Sequence, residues 1–263
     1  VWPPGFAGVK LKERYKVSLI IQAHGYDIYG LPFTNEFWYT RAQKILNKAD
    51  YILTVSKKNA MYIEKLKVNV PVYIVPNGFD NNMFKPLNKE ICRKKLGLPP
   101  DKKILISVGN LTKGKGHIYL IEALHKIVKK RKDIFCVIIG DGPEKNKLLK
   151  QIERYRLSDF IHLIGRRKHM EIPTWLNAAD LFVIPSLIEG NPTVIFEALG
   201  TGLPVVGTRV GGIPEIIKSD EYGLLVEPAN SEDLAQKINF AIDIQWNREN
   251  IANFAQQFSW DVI

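Results

Sequence analysis

The sequence predicts an α/β protein with a mainly parallel sheet, and three observations carry that expectation. Short apolar runs that read as buried strands alternate with longer stretches of helical periodicity along the chain. The 263 residues are 46% hydrophobic, enough to bury one sizeable core or two smaller ones. Glycine-rich turns follow several strand ends, where open α/β sheets place ligand contacts.

In chain order, residues 16–23 read as the first strand, ending at His24-Gly25-Tyr26-Asp27. A functional and a structural role for His24 stand level on sequence grounds, with Gly25 allowing close backbone approach. A helix is expected over 37–47, a strand over 49–56 closing on Ser56, a helix over 57–66, a strand over 72–75 and a turn at 76–78. Pro86, Pro99 and Pro100 surround a basic helix-like stretch from Lys89 to Leu96, so residues 86–100 are expected to link two domains.

Residues 103–108 form the next expected strand, followed by Gly109-Asn110-Leu111-Thr112-Lys113-Gly114-Lys115-Gly116 and a helix signalled by Leu120, Leu124, Ile127 and Val128. Strand, glycine-rich loop, helix is phosphate-binding architecture. Gly109, Gly114 and Lys115 fit the first part of a nucleoside triphosphatase loop, but Gly116 stands where that loop needs a Ser or Thr hydroxyl on Mg²⁺. That rival would use Asp141 as its second acid. Strands are also expected over 135–139, ending at Gly140-Asp141-Gly142-Pro143, and over 160–165, where Gly165 would let a base lie against backbone. Asp141 reads equally well as a cap for the helix from Glu144 to Tyr155.

A helix over 172–179 and a strand over 181–184 lead into Pro185-Ser186-Leu187-Ile188-Glu189-Gly190-Asn191-Pro192-Thr193-Val194. Asn191 and Pro192 read as the cap and start of a helix, leaving the N–H groups of Thr193 and Val194 facing outward as an anion site. Glu189 and Glu197 would flank that site and suit the hydroxyls of a sugar nucleotide. The plainer alternative is a strand–turn–helix unit with two solvated glutamates. Strands over 203–208 and 223–226 and a helix capped by residues 230–233 complete the pattern.

The formal net charge is +10, and nucleic acid, an anionic membrane surface or phosphorylated ligands could each match it. No zinc-finger cysteines and no aromatic-rich motif support nucleic acid. Lys126, Lys129, Lys130, Arg131 and Lys132 cluster at a helix end, where a solvated face explains them as well as a partner does. The two cysteines, Cys92 and Cys136, are far apart, which suits a reducing cytoplasmic setting. No apolar stretch nears the ~20 residues of a membrane span, and no Asp-x-Asp pair or His/Cys spacing suggests a metal site.

Glu189 and Glu197 inside P-S-x-x-E-G-x-P-x-x-x-x-E-A resemble the glutamate signature of retaining family 4 glycosyltransferases. H-G-x-D at His24, A-D-x-x-L-T-V-S at residues 49–56, V-P-N-G-x-D-x-x-x-F at 75–84, V-G-x-L-x-x-x-K-G at 108–116 and G-D-G-P at 140–143 are similar to the same family in order and spacing. The resemblance implies a GT-B fold of two Rossmann-like doubly wound domains: a partial acceptor-side domain over 1–85 and a donor domain over 101–250. It further implies that the N-terminal domain is incomplete and that residues 251–263 begin a C-terminal crossover helix that is cut short.

By the same resemblance, a hexosyl unit passes from a UDP-sugar or GDP-sugar to a hydroxyl of a glycan or lipid-linked acceptor, without a metal cofactor. His24 approaches the donor sugar, Glu189 holds its hydroxyls and Glu197 the ribose. Gly109, Asn110, Lys115, Gly140, Asp141, Gly165, Arg166, Asn191, Pro192, Thr193 and Val194 form the rest of the donor site. Asn110 stands at the position of the family's phosphate-binding arginine. Weaker donor binding, compensation by Arg166 or Arg167, or loss of activity are all open, and so is a non-catalytic sugar-nucleotide-binding remnant. The basic balance is compatible with a cytoplasmic protein peripheral to an anionic membrane.

Overall fold

The computed structural model describes all residues, 1–263. By tertiary contact they divide into two compact units, Val1–Asn77 with Glu189–Pro192 and Gly78–Ile188 with Thr193–Ile263. Both are α/β units built on parallel strands and both are Rossmann-like.

The first unit runs α1 (Pro4–Tyr15), β1 (Ile20–Ala23), α2 (Tyr26–Tyr29), α3 (Glu36–Leu46), β2 (Tyr51–Thr54), α4 (Lys57–Lys65) and β3 (Val72–Ile74), with sheet order β1-β2-β3. Alternation in β1 turns Ile21 and Ala23 into a core shared with Val9, Ala42, Ile45, Ile52 and Ile63. Asn35 caps α3 by accepting from Trp38 N, and Ser56 caps α4 by accepting from Asn59 N at 3.1 Å. The sequence reading has no element before residue 16. Helix α1 forms there, with proline in its first turn, and stops at Lys16 in the left-handed conformation. For that reason β1 starts at Ile20 and not at Lys16.

The second unit holds α5 (Lys89–Leu96), β4 (Lys103–Val108), α6 (His117–Ile127), β5 (Ile134–Ile139), α7 (Lys145–Arg154), β6 (Ile161–Gly165), α8 (Ile172–Ala178), β7 (Leu181–Ile184), α9 (Thr193–Gly200), β8 (Val205–Thr208), α10 (Ile213–Ile216), β9 (Gly223–Val226), α11 (Ser231–Asp243) and α12 (Arg248–Ala255). Its six parallel strands lie in the order β6-β5-β4-β7-β8-β9. Winding reverses between neighbours β4 and β7, which opens a crevice at their C-terminal ends. Successive residues serve opposite faces. Leu105, Cys136, Leu181 and Val183 meet one helical layer; Ile106, Val137, Phe182 and Ile184 meet the other. Burial pushes the Cys136 thiol far up, so this cysteine is core packing.

Within residues 86–100 the helix-like stretch forms α5, and the division by contact falls at Asn77/Gly78. Buried Arg93 reaches Asp180 at 2.5 Å, and Lys89 Nζ reaches it at 2.7 Å. Over 251–263 the observed helix is α12, which stops at Ala255; Phe79 N then donates to Phe258 O and Trp260 N to Phe79 O. No helix is long and apolar enough to cross a membrane.

Candidate functional site

The glycine-rich loop leaves β4 at the reversal point. Gly109 N donates to Ile139 O and Leu111 N to Asp141 O, both at 2.9 Å, so the loops after β4 and β5 run together. A Cβ at Gly140 would lie 1.9 Å from Gly109 O, which requires glycine there. Asn110 is exposed and Lys115 half-buried in a short 3₁₀ turn, Lys113–Lys115. Gly116 follows at φ +64°, and a Cβ on it would meet Pro185 O at 2.0 Å. The strap leaving β7 therefore occupies the space that a Ser or Thr side chain would need. Leu187 N donates to Gly114 O at 2.8 Å and fixes the same contact. Position 116 thus has no room for the hydroxyl side chain that a triphosphatase loop would use there.

Asp141 does not cap α7, whose first residue is Lys145 and whose preceding Glu144 makes no side-chain cap. Its Oδ1 accepts from Gly142 N at 2.8 Å and its Oδ2 from Lys145 Nζ at 3.3 Å. The Gly142 N–H, then Lys145, hold the Asp141 carboxyl below its ordinary range, and the charge of Arg166 adds to this. Gly165 ends β6 and accepts from Gly140 N at 3.1 Å. Nothing lies within 4 Å of the place a Cβ would take on it. Arg166 and Arg167 are exposed beside it.

Thr193 and Val194 are the first residues of α9, whose opening N–H groups have no intrahelical acceptor. Glu197 lies further along α9, only 8% exposed, and its Oε1 is 2.9 Å from His169 Nε2. Burial raises its pKa, and the His169 bond opposes the rise without cancelling it. Sequence reasoning missed this partner, because only the fold brings the turn after β6 against α9. His117 was missed too. It is 3% exposed at the start of α6, and burial, with Lys115 adding, lowers its pKa to about 4.

In the first unit, exposed His24 directly follows β1 and its carbonyl lies against Gly190. Glu189 is 9% exposed, and its charge helps burial to raise the pKa of Tyr29. Buried Pro192 directly precedes α9. Asn191 is buried, its Oδ1 accepts from Asn77 N at 2.9 Å, and its carbonyl accepts from Asn77 Nδ2 at 2.7 Å. Both bonds lie within the first unit and tie Asn191 to the turn at Asn77. The solvated reading of the two glutamates also fails, since both are withdrawn from water. At the far end of α6, Lys126 pairs with Glu232 and Arg131 with Asp133 and Asp243, so part of the basic cluster is tied to acids of the same unit.

A doubly wound parallel sheet with a basic loop and a buried carboxylate at its reversal point defines the ligand-binding α/β class. The model of the group 1 glycosyl transferases matches residues 88–258, more than half of the chain, and the chain belongs to that family. It is 31% identical over 239 residues to TuaC of Bacillus subtilis (strain 168), a glycosyltransferase assigned to teichuronic acid biosynthesis, covering 90% of this chain and 58% of TuaC. The chain spans about three fifths of the length of the curated relatives it matches first. Among solved structures, sucrose-phosphate synthase from Thermosynechococcus elongatus superposes with a TM-score of 0.88 at 25% identity, over 98% of this chain and 68% of that one. HepE of Anabaena in complex with UDP gives 0.86 at 25% identity, over 97% and 72%.

Proposed function

We propose that the chain transfers a hexosyl group from a UDP-sugar or GDP-sugar to a hydroxyl of a glycan or lipid-linked acceptor, with retention at the anomeric carbon. The observation that carries this is the loop Gly109–Gly116 held against the β7 strap at the reversal point, with Glu197 buried on the helix that follows. Family membership and the UDP complex of HepE support it.

Negative charge develops on the departing diphosphate as the glycosidic bond breaks. Lys115 and the N–H groups of Thr193 and Val194 stabilise that charge in place of a metal. Arg166, whose charge reaches Asp141, supplies the second cation that Asn110 cannot. Gly109, Gly140 and Asp141 border the diphosphate, and Gly165 leaves room for the base. Glu197 takes the ribose hydroxyls, Glu189 the sugar hydroxyls, and His24 acts on the donor sugar. The acceptor oxygen bonds to the anomeric carbon on the face the diphosphate leaves, and its proton passes to the departing phosphate oxygen. A basic chain suits an acceptor held at an anionic membrane surface.

Asn110 favours one other reading, a module that binds the sugar nucleotide without turning it over. Titration with UDP and GDP, followed by incubation with labelled donors and NMR of the released or transferred sugar, separates the two. The proposal expects binding and a product that keeps the donor's anomeric configuration. Binding without any turnover would leave only the binding module. An inverted product would remove the retaining mechanism.

A further inference from the structure

Buried side-chain amides and hydroxyls in this protein are bonded almost throughout. Fully buried Asn177 accepts from Leu87 N and donates to Lys85 O and Pro173 O. Thr54, Thr201 and Thr208 each donate to a carbonyl, at 2.7, 2.7 and 2.6 Å. Asn59 is the amide that departs furthest from this, beside single unmet atoms at Asn239 Oδ1 and Ser259 Oγ. Its side chain is 0% exposed, and neither Nδ2 nor Oδ1 has a partner. No other side-chain amide leaves both its donor and its acceptor unmet. Its place is fixed, because its own N–H is spent on the α4 cap. An amide buried in this way destabilises the fold unless another arrangement satisfies it.

What faces that amide is the strap carrying Glu189. A Cβ built on Gly190 would lie 3.6 Å from Asn59 Nδ2 and 2.5 Å from His24 O, so the strap runs between the end of β1 and the first turn of α4, all within the first unit. Gly190 is thus limited to glycine by the His24 carbonyl, and Asn59 Nδ2 stands beside its backbone.

We propose that Asn59 is a positioning residue for Glu189: when Glu189 grips a donor sugar, the strap settles and the Asn59 amide takes up the peptide of Gly190. The proposal rests on the function given above. It distinguishes a state with the sugar engaged from a state with only the nucleotide bound.

The test uses the whole chain, wild type and Asn59→Leu, an apolar side chain of similar size. Melting temperature, UDP affinity, donor turnover, and hydrogen exchange of residues 187–192 with UDP or UDP-glucose bound are measured together. The expected result is that Asn59→Leu melts no lower than wild type and binds UDP as tightly, while kcat falls about tenfold or more. In the wild type, UDP-glucose slows strap exchange beyond UDP alone; in Asn59→Leu the two ligands are indistinguishable. Unchanged turnover and a retained UDP-glucose effect in Asn59→Leu would overturn the role. So would loss of UDP affinity in step with melting temperature, the mark of a merely structural residue. Where wild type binds GDP and not UDP, GDP and GDP-mannose take the place of the two ligands; if it binds neither nucleotide, the function itself has failed, and that shows before any variant is compared.

Discussion

Glu197 carries a carboxylate under the surface with His169 as its polar partner. Its folded pKa is raised from the ordinary 4.5, so the folded state holds that proton more tightly than the unfolded chain does. The penalty is absent below pH 4.5, builds as pH rises through the folded value, and persists above it. Glu197→Gln is therefore expected to match wild-type stability in acid and to exceed it at pH 8, by thermal unfolding across pH. The same variant should lose about tenfold or more in UDP affinity, since hydrogen bonds to a charged group contribute roughly 1.5–3 kcal/mol. His117 gives the opposite slope. Its pKa falls from 6.5 to about 4, so the unfolded chain binds the extra proton, and stability drops as pH falls from 6.5 towards 4. At about 1.4 kcal/mol per pKa unit the full loss is about 3 kcal/mol, and His117→Phe should flatten that acid limb. The two glutamates were legible because spacing within one motif survives any packing. His169, His117 and Asn59 were not, because which ring or amide faces which backbone is decided by tertiary contact.

At the level of elements, Gly116 shows how a loop is fixed by its neighbour. Gly116→Ser restores a triphosphatase-like spelling, yet its side chain would run into Pro185 O in a left-handed backbone. A loss of about 2–4 kcal/mol is expected in denaturant unfolding, with no ATP hydrolysis gained. Helix α5 is held through Asp180, which accepts from Lys89, Arg93 and Ile104 N. Burial pushes the Asp180 carboxyl up, but Lys89, Ile104 N–H and Arg93 together bring it below its ordinary range. Asp180→Ala should cost about 3–5 kcal/mol, whereas Lys126→Ala, on an exposed pair, should change stability by less than about 1 kcal/mol. The strands were readable because parallel strands buried on both faces appear as unbroken apolar runs. Helix α1 was not, because Val9 is its one buried residue and a stripe that thin leaves little periodicity.

For the whole molecule, the +10 charge adds a long-range attraction for anionic donors that salt should weaken. The order β6-β5-β4-β7-β8-β9 puts the basic loop and the strap on the two strands between which winding reverses. Sequence alone could supply the strands but not their order, which depends on which helices cover which face. The most direct test is calorimetric titration of UDP and GDP into wild type and Lys115→Ala. Binding of at least one nucleotide is expected, weakened about tenfold or more by loss of the ammonium group and by added salt. Equal affinity in the two proteins, or no binding to either, would contradict a diphosphate held by this loop.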